Sequence, residues 1–138
     1  KEYTSNLPNI RKRLLSLDFM TNHVQSYPQL KADSSLVKAM NEVESAWKRI
    51  ETTYLPKEFL NLSSDELPIK SGDIIAITTS IEGLDVVHVG FACWVGEKLH
   101  LLHASSNAMK VILDELPLYD YSKNKKAHTG VRAISFIR

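Results

Sequence analysis

Five histidines and one cysteine are the side chains of this chain best suited to base or nucleophile chemistry. Two of them, His88 and His103, have neighbours that invite a mechanism. In the run Val86-Val87-His88-Val89-Gly90-Phe91-Ala92, strand alternation puts His88, Gly90 and Ala92 on one face and Val87, Val89, Phe91 and Cys93 on the other. The imidazole thus stands beside two nearly side-chain-free positions. Glycine inside a strand weakens it and often marks a place where a ligand or another backbone comes close, so something is expected to lie over His88. A strand histidine beside glycine is also met as an ordinary hydrogen-bonded structural residue, and spacing alone leaves both readings open.

The chain then returns through Val95-Gly96-Glu97 into Lys98-Leu99-His100-Leu101-Leu102-His103-Ala104-Ser105-Ser106, the pattern of a β-hairpin. A turn centred between Val95 and Gly96 sets His88 opposite His103, with Cβ atoms about 4.5–5.5 Å apart. A register one residue longer turns His103 to the opposite face, and the turn residues do not choose between the two. A metal reading draws on His88, His100, His103 and His128, but His100 alternates away from His103 and no neighbouring acid completes a ligand set. Neither a metal nor another cofactor is expected. Cys93, the only thiol, alternates to the face opposite His88 and lies roughly 16 Å along the same strand at about 3.3 Å per residue. It reads as a small hydrophobe.

The elements that must position these groups follow from periodicity. Leu36, Val37, Met40, Val43, Trp47 and Ile50 recur at spacings of three and four, which predicts a helix over 34–50 capped by Asp33 or Ser34. Ile10, Leu14 and Leu17 suggest a shorter helix over 9–17, and Ser63-Ser64-Asp65-Glu66 resembles a single capped turn. From Ile69 onward β-branched runs alternate with Gly and Asp, predicting strands at 73–79, 86–94, 98–104, 110–113 and 131–137. A helical turn falls near 116–121, and 122–128 reads as an exposed loop. The expected fold class is α+β, one domain over 1–138: a mainly helical part (1–68) followed by a mostly antiparallel sheet of five to six strands (69–138) that carries the histidines.

Composition excludes several function classes. Seventeen Lys and Arg against sixteen Asp and Glu leave a net charge of +1, too balanced for the basic footprint of a nucleic-acid binder. No apolar run approaches the ~20 residues of a membrane span, and residues 1–20 lack a signal-peptide core. A lone cysteine rules out an intrachain disulfide or a cysteine-based zinc site.

Three motifs in order carry a family resemblance. Ser71-Gly72-Asp73-Ile74-Ile75-Ala76-Ile77, then Gly83-Leu84-Asp85-Val86-Val87-His88-Val89-Gly90-Phe91-Ala92, then Leu99-His100-Leu101-Leu102-His103-Ala104-Ser105-Ser106 resemble the C-terminal half of the bacterial N-acetylmuramoyl-L-alanine amidase-like family, a branch of the NlpC-type papain-like cysteine peptidases. The resemblance continues upstream through Phe19-Met20-Thr21-Asn22-His23 and Tyr27-Pro28-Gln29-Leu30. Downstream it runs through Lys110-Val111-Ile112, Leu118-Tyr119-Asp120-Tyr121 and Gly130-Val131-Arg132.

The resemblance implies a cysteine hydrolase that cleaves amide bonds of peptidoglycan stem peptides, or the bond joining the stem to muramic acid. His88 matches the base and His103 the third residue, which holds the imidazole in a usable tautomer and stabilises its cation. The nucleophile of such enzymes sits at a helix N-terminus that lowers the thiol pKa, on a segment upstream of the region matched here. A partner segment carrying that thiol is therefore expected to dock over His88 and Gly90, and this chain alone is expected to be inactive. The absence of an initiator Met at Lys1 agrees with a C-terminal portion of a longer protein. Asp85, Ser105 and Ser106 are candidate substrate-binding residues, with a muropeptide as ligand, and the family places the protein in the periplasm or outside the cell. Asp73 reads as structural, and His23 receives no role. The alternative is a non-catalytic peptide- or cell-wall-binding module on the same scaffold, and a second alternative is a histidine-based metal hydrolase.

Overall fold

Antiparallel pairing begins much earlier in the chain than the hydrophobic pattern predicts. The computed structural model describes residues 1–136, so Ile137, the expected end of the last strand, lies outside the described residues. Its elements are β1 (Arg11–Leu15), α1 (Phe19–Asn22), α2 (Pro28–Ala32), α3 (Ser34–Ser45), β2 (Ile50–Pro56), β3 (Ile74–Thr79), β4 (Val86–Val95), β5 (Lys98–Ser105), β6 (Lys110–Leu113), α4 (Leu118–Ser122) and β7 (His128–Ile134). The strands form one sheet of seven in the order β1-β2-β7-β3-β4-β5-β6, with every neighbouring pair antiparallel.

The two strands beyond the expected five come from the part read as helical. Nine residues are too few for a self-supporting helix, and the left-handed Asn9 at φ 61° turns the chain out of helical geometry. Arg11 to Leu15 pair instead with Tyr54 to Ile50, a β-branched and aromatic partner that favours a pleated surface. Lys12 and Glu51 add a 2.9 Å ion pair across the ladder. β2 meets β7 only at Leu55 with Val131 and Pro56 with Gly130, because Pro56 has no N–H to extend the ladder.

α3 is capped as predicted, the Asp33 carboxylate accepting from Ser35 N at 2.9 Å, but it ends at Ser45, not near Ile50. Arg49, at φ 55°, turns the chain into β2. The apolar stripe does not face the sheet: Leu36, Val43 and Trp47 are exposed, whereas Glu44 is buried. The Glu44 carboxylate accepts from Met20 N at 2.8 Å and Thr21 N at 3.1 Å, satisfying the first free N–H groups of α1. Helices and stripe together border a shallow apolar groove lined by Met20, Tyr27, Leu30, Leu36, Met40 and Val43.

The sheet's two faces differ. Leu55, Ile75, Ile77, Leu99, Leu101 and Val131 are fully buried on one side, where Leu60, Leu67 and Leu118 close over them. On the other side Val89, Phe91, Leu102 and Val111 are exposed. Asp73 is structural as expected, accepting from Lys70 N at 2.9 Å and from the Tyr3 hydroxyl at 2.5 Å.

The β2–β7 junction tolerates no side chain at its crossing: a Cβ on Gly130 would stand 1.9 Å from Leu55 O. Gly130→Ala must therefore separate two backbones, and a loss of about 1–3 kcal/mol is expected. A urea midpoint unchanged from the parent would show that the junction is not close-packed.

Candidate active site

A β-bulge and a two-residue turn set the central pair. Thr78 pairs with Val86 where the ladder ran from Ile77 to His88, so Val87 is an extra residue immediately before His88. Bulges of this kind re-aim the neighbouring side chains. In the β4–β5 hairpin Val95 faces Lys98 and Phe91 faces Leu102, with Gly96 left-handed at φ 58° as such turns require. The turn thus lies one residue later than the expected centre between Val95 and Gly96. That displacement keeps side-chain parity, so His88 and His103 share a face as diagonal neighbours and are not directly opposed.

Their rings nevertheless meet. His88 Nε2 and His103 Nδ1 are 2.7 Å apart, ring centroids 4.9 Å apart and nearly perpendicular at 84°. His103 Nε2 in turn lies 2.9 Å from Asp114 Oδ2. Asp114 follows β6 directly and is held at three further points. Its N–H donates to Leu101 O at 2.9 Å, its O accepts from His100 Nδ1 at 2.8 Å, and its Oδ1 accepts from Leu116 N at 3.0 Å.

The Asp114 carboxylate only accepts, so His103 donates from Nε2, and when that ring is neutral it presents a lone pair at Nδ1. His88 must then donate from Nε2, which leaves its Nδ1 as the lone pair not consumed by the relay. That is the atom able to take a proton from an incoming group. Burial, the neighbouring His103 and the ammonium of Lys125 all lower the His88 pKa, so the ring is a neutral base near pH 7.

The relay borders a polar cleft of about 380 Å³ whose walls include Val87, Ser105, Asn107, Tyr121, Lys125 and His128, a size that accepts a short stretch of peptide. Ser105 and Ser106 line it. Asp85 does not line it: Arg132 takes its carboxylate in a two-point ion pair, Nη2 to Oδ1 at 2.8 Å and Nη1 to Oδ2. Gly90 does not present open space to a docking helix, because a Cβ there would lie 2.7 Å from Leu101 Cγ. Leu101 of the adjacent strand fills that position, and the open apolar surface is the reverse face around Val89 and Phe91.

His23 Nδ1 donates to Phe19 O at 2.7 Å and its ring stacks on Phe19, a local structural role. Cys93 pairs with His100 in the ladder on the parity of the reverse face, away from His88. Nor do the histidines form a metal-ligand set. Both nitrogens of His103 are committed to the relay, and among the described residues no group of three His, Cys, Asp or Glu is placed to hold an ion.

Among the cleft residues, Asp114 and Lys125 are not singled out by the sequence, while Tyr121 enters only through the family motif and His128 only as a metal candidate. The pairing of Leu102 with Leu113 is what brings the next residue, Asp114, back alongside Leu101. An Asp following a strand was the available signal, but it has meaning only once the β5–β6 register is known.

The family model described as N-acetylmuramoyl-L-alanine amidase-like matches residues 2–131. A solved N-acetylmuramoyl-L-alanine amidase from Bacteroides uniformis is 39% identical, with a TM-score of 0.86, over 98% of this chain and 56% of its own. A solved Bacteroides fragilis protein given the provisional name xylanase is 40% identical, with a TM-score of 0.86, over 99% of this chain and 58% of its own. A Legionella pneumophila protein, 21% identical with a TM-score of 0.55, shares the fold. Among functionally curated proteins none matches. The chain thus spans little more than half the length of these solved relatives.

Two measurements test the site. In ¹⁵N spectra of the histidine rings at pH 7.5, His88 is expected to be protonated at Nε2 and bare at Nδ1, and Asp114→Ala is expected to scramble that order; protonation at Nδ1 in the parent would refute the relay. His128 is lowered to about 4, first by burial, then by Lys125, Lys57 and His88. Its folded pKa is below its unfolded value of 6.5, so the stability from keeping it neutral is complete above that value and declines as pH falls toward about 4. His128→Asn should flatten the fall in urea midpoint between roughly pH 6.5 and 5, and an unaltered slope would assign that fall to other groups.

Proposed function

Because this chain belongs to the N-acetylmuramoyl-L-alanine amidase-like family, we propose that it supplies the base and orienting half of a cysteine amidase acting on peptidoglycan. The scissile bond is an amide of the stem peptide or the one joining stem to muramic acid. On this reading the chain is the C-terminal half of an NlpC-type, papain-like enzyme, and a substrate of that kind places it in the periplasm or outside the cell. Among the described residues no helix is long and apolar enough to cross a membrane.

The observation that carries the proposal is the chain of contacts from Asp114 through His103 to His88, at 2.9 and 2.7 Å. His88 Nδ1 accepts the thiol proton, giving a thiolate and an imidazolium. The new positive charge keeps its Nε2–H on His103, whose own Nε2–H points at the Asp114 carboxylate, so the ion is stabilised without a second proton transfer. The thiolate attacks the amide carbon, and the imidazolium returns its proton to the leaving amine.

The thiol comes from outside these 138 residues, since Cys93, the only one present, lies on the wrong strand face. With Gly90 covered by Leu101, the thiol reaches His88 through the polar cleft. The name xylanase borne by one relative fits this cleft less well: glycoside hydrolysis ordinarily uses two carboxylates flanking the bond, and here the single cleft carboxylate, Asp114, is bonded to His103.

A non-catalytic cell-wall-binding module is the second reading, favoured by the lack of a thiol beside His88. The two part on one experiment. The 138-residue chain incubated with muropeptides should release no product, whereas the full-length gene product should, and His88→Ala in it should lower kcat by about 10²–10⁴. An inactive full-length protein that still binds muropeptides would establish the module instead, and activity insensitive to His88→Ala would overturn the base assignment.

A further inference from the structure

We infer that Lys125 is a specificity-determining residue of the cleft, pairing its ammonium with a carboxylate that the bound peptide carries within a residue or two of the cleaved amide. The inference rests on the amidase reading for the position of that amide, but the carboxylate itself is recognised by groups that need no chemistry to act.

Among the described residues that line the cleft, Asp114 is the one acidic and Lys125 the one lysine side chain. Asp114 is fully engaged, one oxygen by His103 Nε2 at 2.9 Å and the other by Leu116 N at 3.0 Å. Lys125 is held differently. Its Nζ stands 3.3 Å from the centre of the Tyr121 ring, a contact that orients the ammonium while leaving its N–H groups to other acceptors. Its backbone is pinned by Lys57, whose Nζ donates to Lys125 O at 2.9 Å. Within 4.0 Å of the Lys125 ammonium there is no carboxylate among the described residues, in contrast to Lys123, which Asp120 pairs at 2.6 Å.

Lys125 therefore sets a positive field at its end of the cleft, since the Asp114 carboxylate, bonded to His103 and Leu116, lies beyond ion-pair distance of its ammonium. That field is felt at the reacting end, because Lys125 acts on His88 and, together with Lys57, on His128. A positive wall beside a neutral base favours an anionic substrate group and disfavours a basic one. Ser105, Ser106 and Asn107, which also line the cleft, offer hydroxyl and amide groups suited to peptide backbone. His88 and Lys125 line the same cleft of about 380 Å³, so an anion paired with Lys125 lies in the space that His88 borders.

The test titrates the 138-residue chain, followed through its His88 ring signals, with N-acetyl-alanyl-glutamate and with N-acetyl-alanyl-glutaminamide, which lacks a carboxylate. The acidic probe should bind about tenfold tighter, the magnitude of one charge-assisted hydrogen bond. The preference should vanish in Lys125→Gln, persist in Lys125→Arg and shrink with added salt. A ¹H–¹⁵N spectrum superimposable on the parent's certifies the fold of each variant. Equal affinities, binding of neither probe, or a preference retained in Lys125→Gln would overturn the inference. None of these outcomes touches the amidase reading, which falls separately if the full-length protein releases no product from muropeptides.

Discussion

Side-chain parity across the β4–β5 hairpin is the constraint on which the site depends. Strand residues alternate strictly, so His88 and His103 share a face only if the turn between them shifts by whole residues. The left-handed Gly96 closes a two-residue loop with Val95 facing Lys98, and parity is kept. Had the loop gained or lost one residue, His103 would emerge among Val89, Phe91 and Leu102, with no imidazole partner. Diagonal placement, not direct opposition, also explains the ring geometry: the two imidazoles approach edge to face at 84°, which aligns a donor on one with the lone pair of the other.

From that pairing the electrostatics follow. Asp114 anchors the far end of the relay in a partly buried position, its side chain 15% exposed beside a His103 side chain at 2%. An acceptor-only group at one end takes a hydrogen bond from His103 Nε2 and so orients that ring against His88. Burial and nearby lysines disfavour the cationic form of His88 and His128. Formation of an imidazolium at His88 thus calls for a counter-charge from an arriving group, and a thiolate is such a group. Lys125, which contributes to lowering the His88 pKa, also lines the cleft.

The sheet separates these functions from its packing. One face is sealed by leucines from the segment after β2 and from α4, and at its open end that same face holds the relay and the cleft. The reverse face leaves Val89, Phe91, Leu102 and Val111 uncovered. A helical cluster stands apart, held through the buried Glu44 and its bonds to Met20 and Thr21. A buried carboxylate at a helix N-terminus is stable because it answers unsatisfied N–H groups, and no hydrophobicity pattern announces it.

Local alternation was enough to read β3 to β6, the capping of α3 by Asp33, and the placing of His88 and His103 on one ribbon, because each depends on residues a few positions apart. The motifs around those histidines also carried the family. Tertiary structure alone decided the rest. β1 and β2 form because each supplies the other's hydrogen-bond partners, overriding a short helical pattern in Arg11 to Leu15. The α3 stripe faces outward because the sheet's core face is already filled. Asp114 and Lys125 join the site from segments whose positions follow from strand register and from the docking of α4. A residue's type can be read from its own position, but its charge state and partners are set by groups far away in sequence that only the folded chain brings within hydrogen-bonding distance.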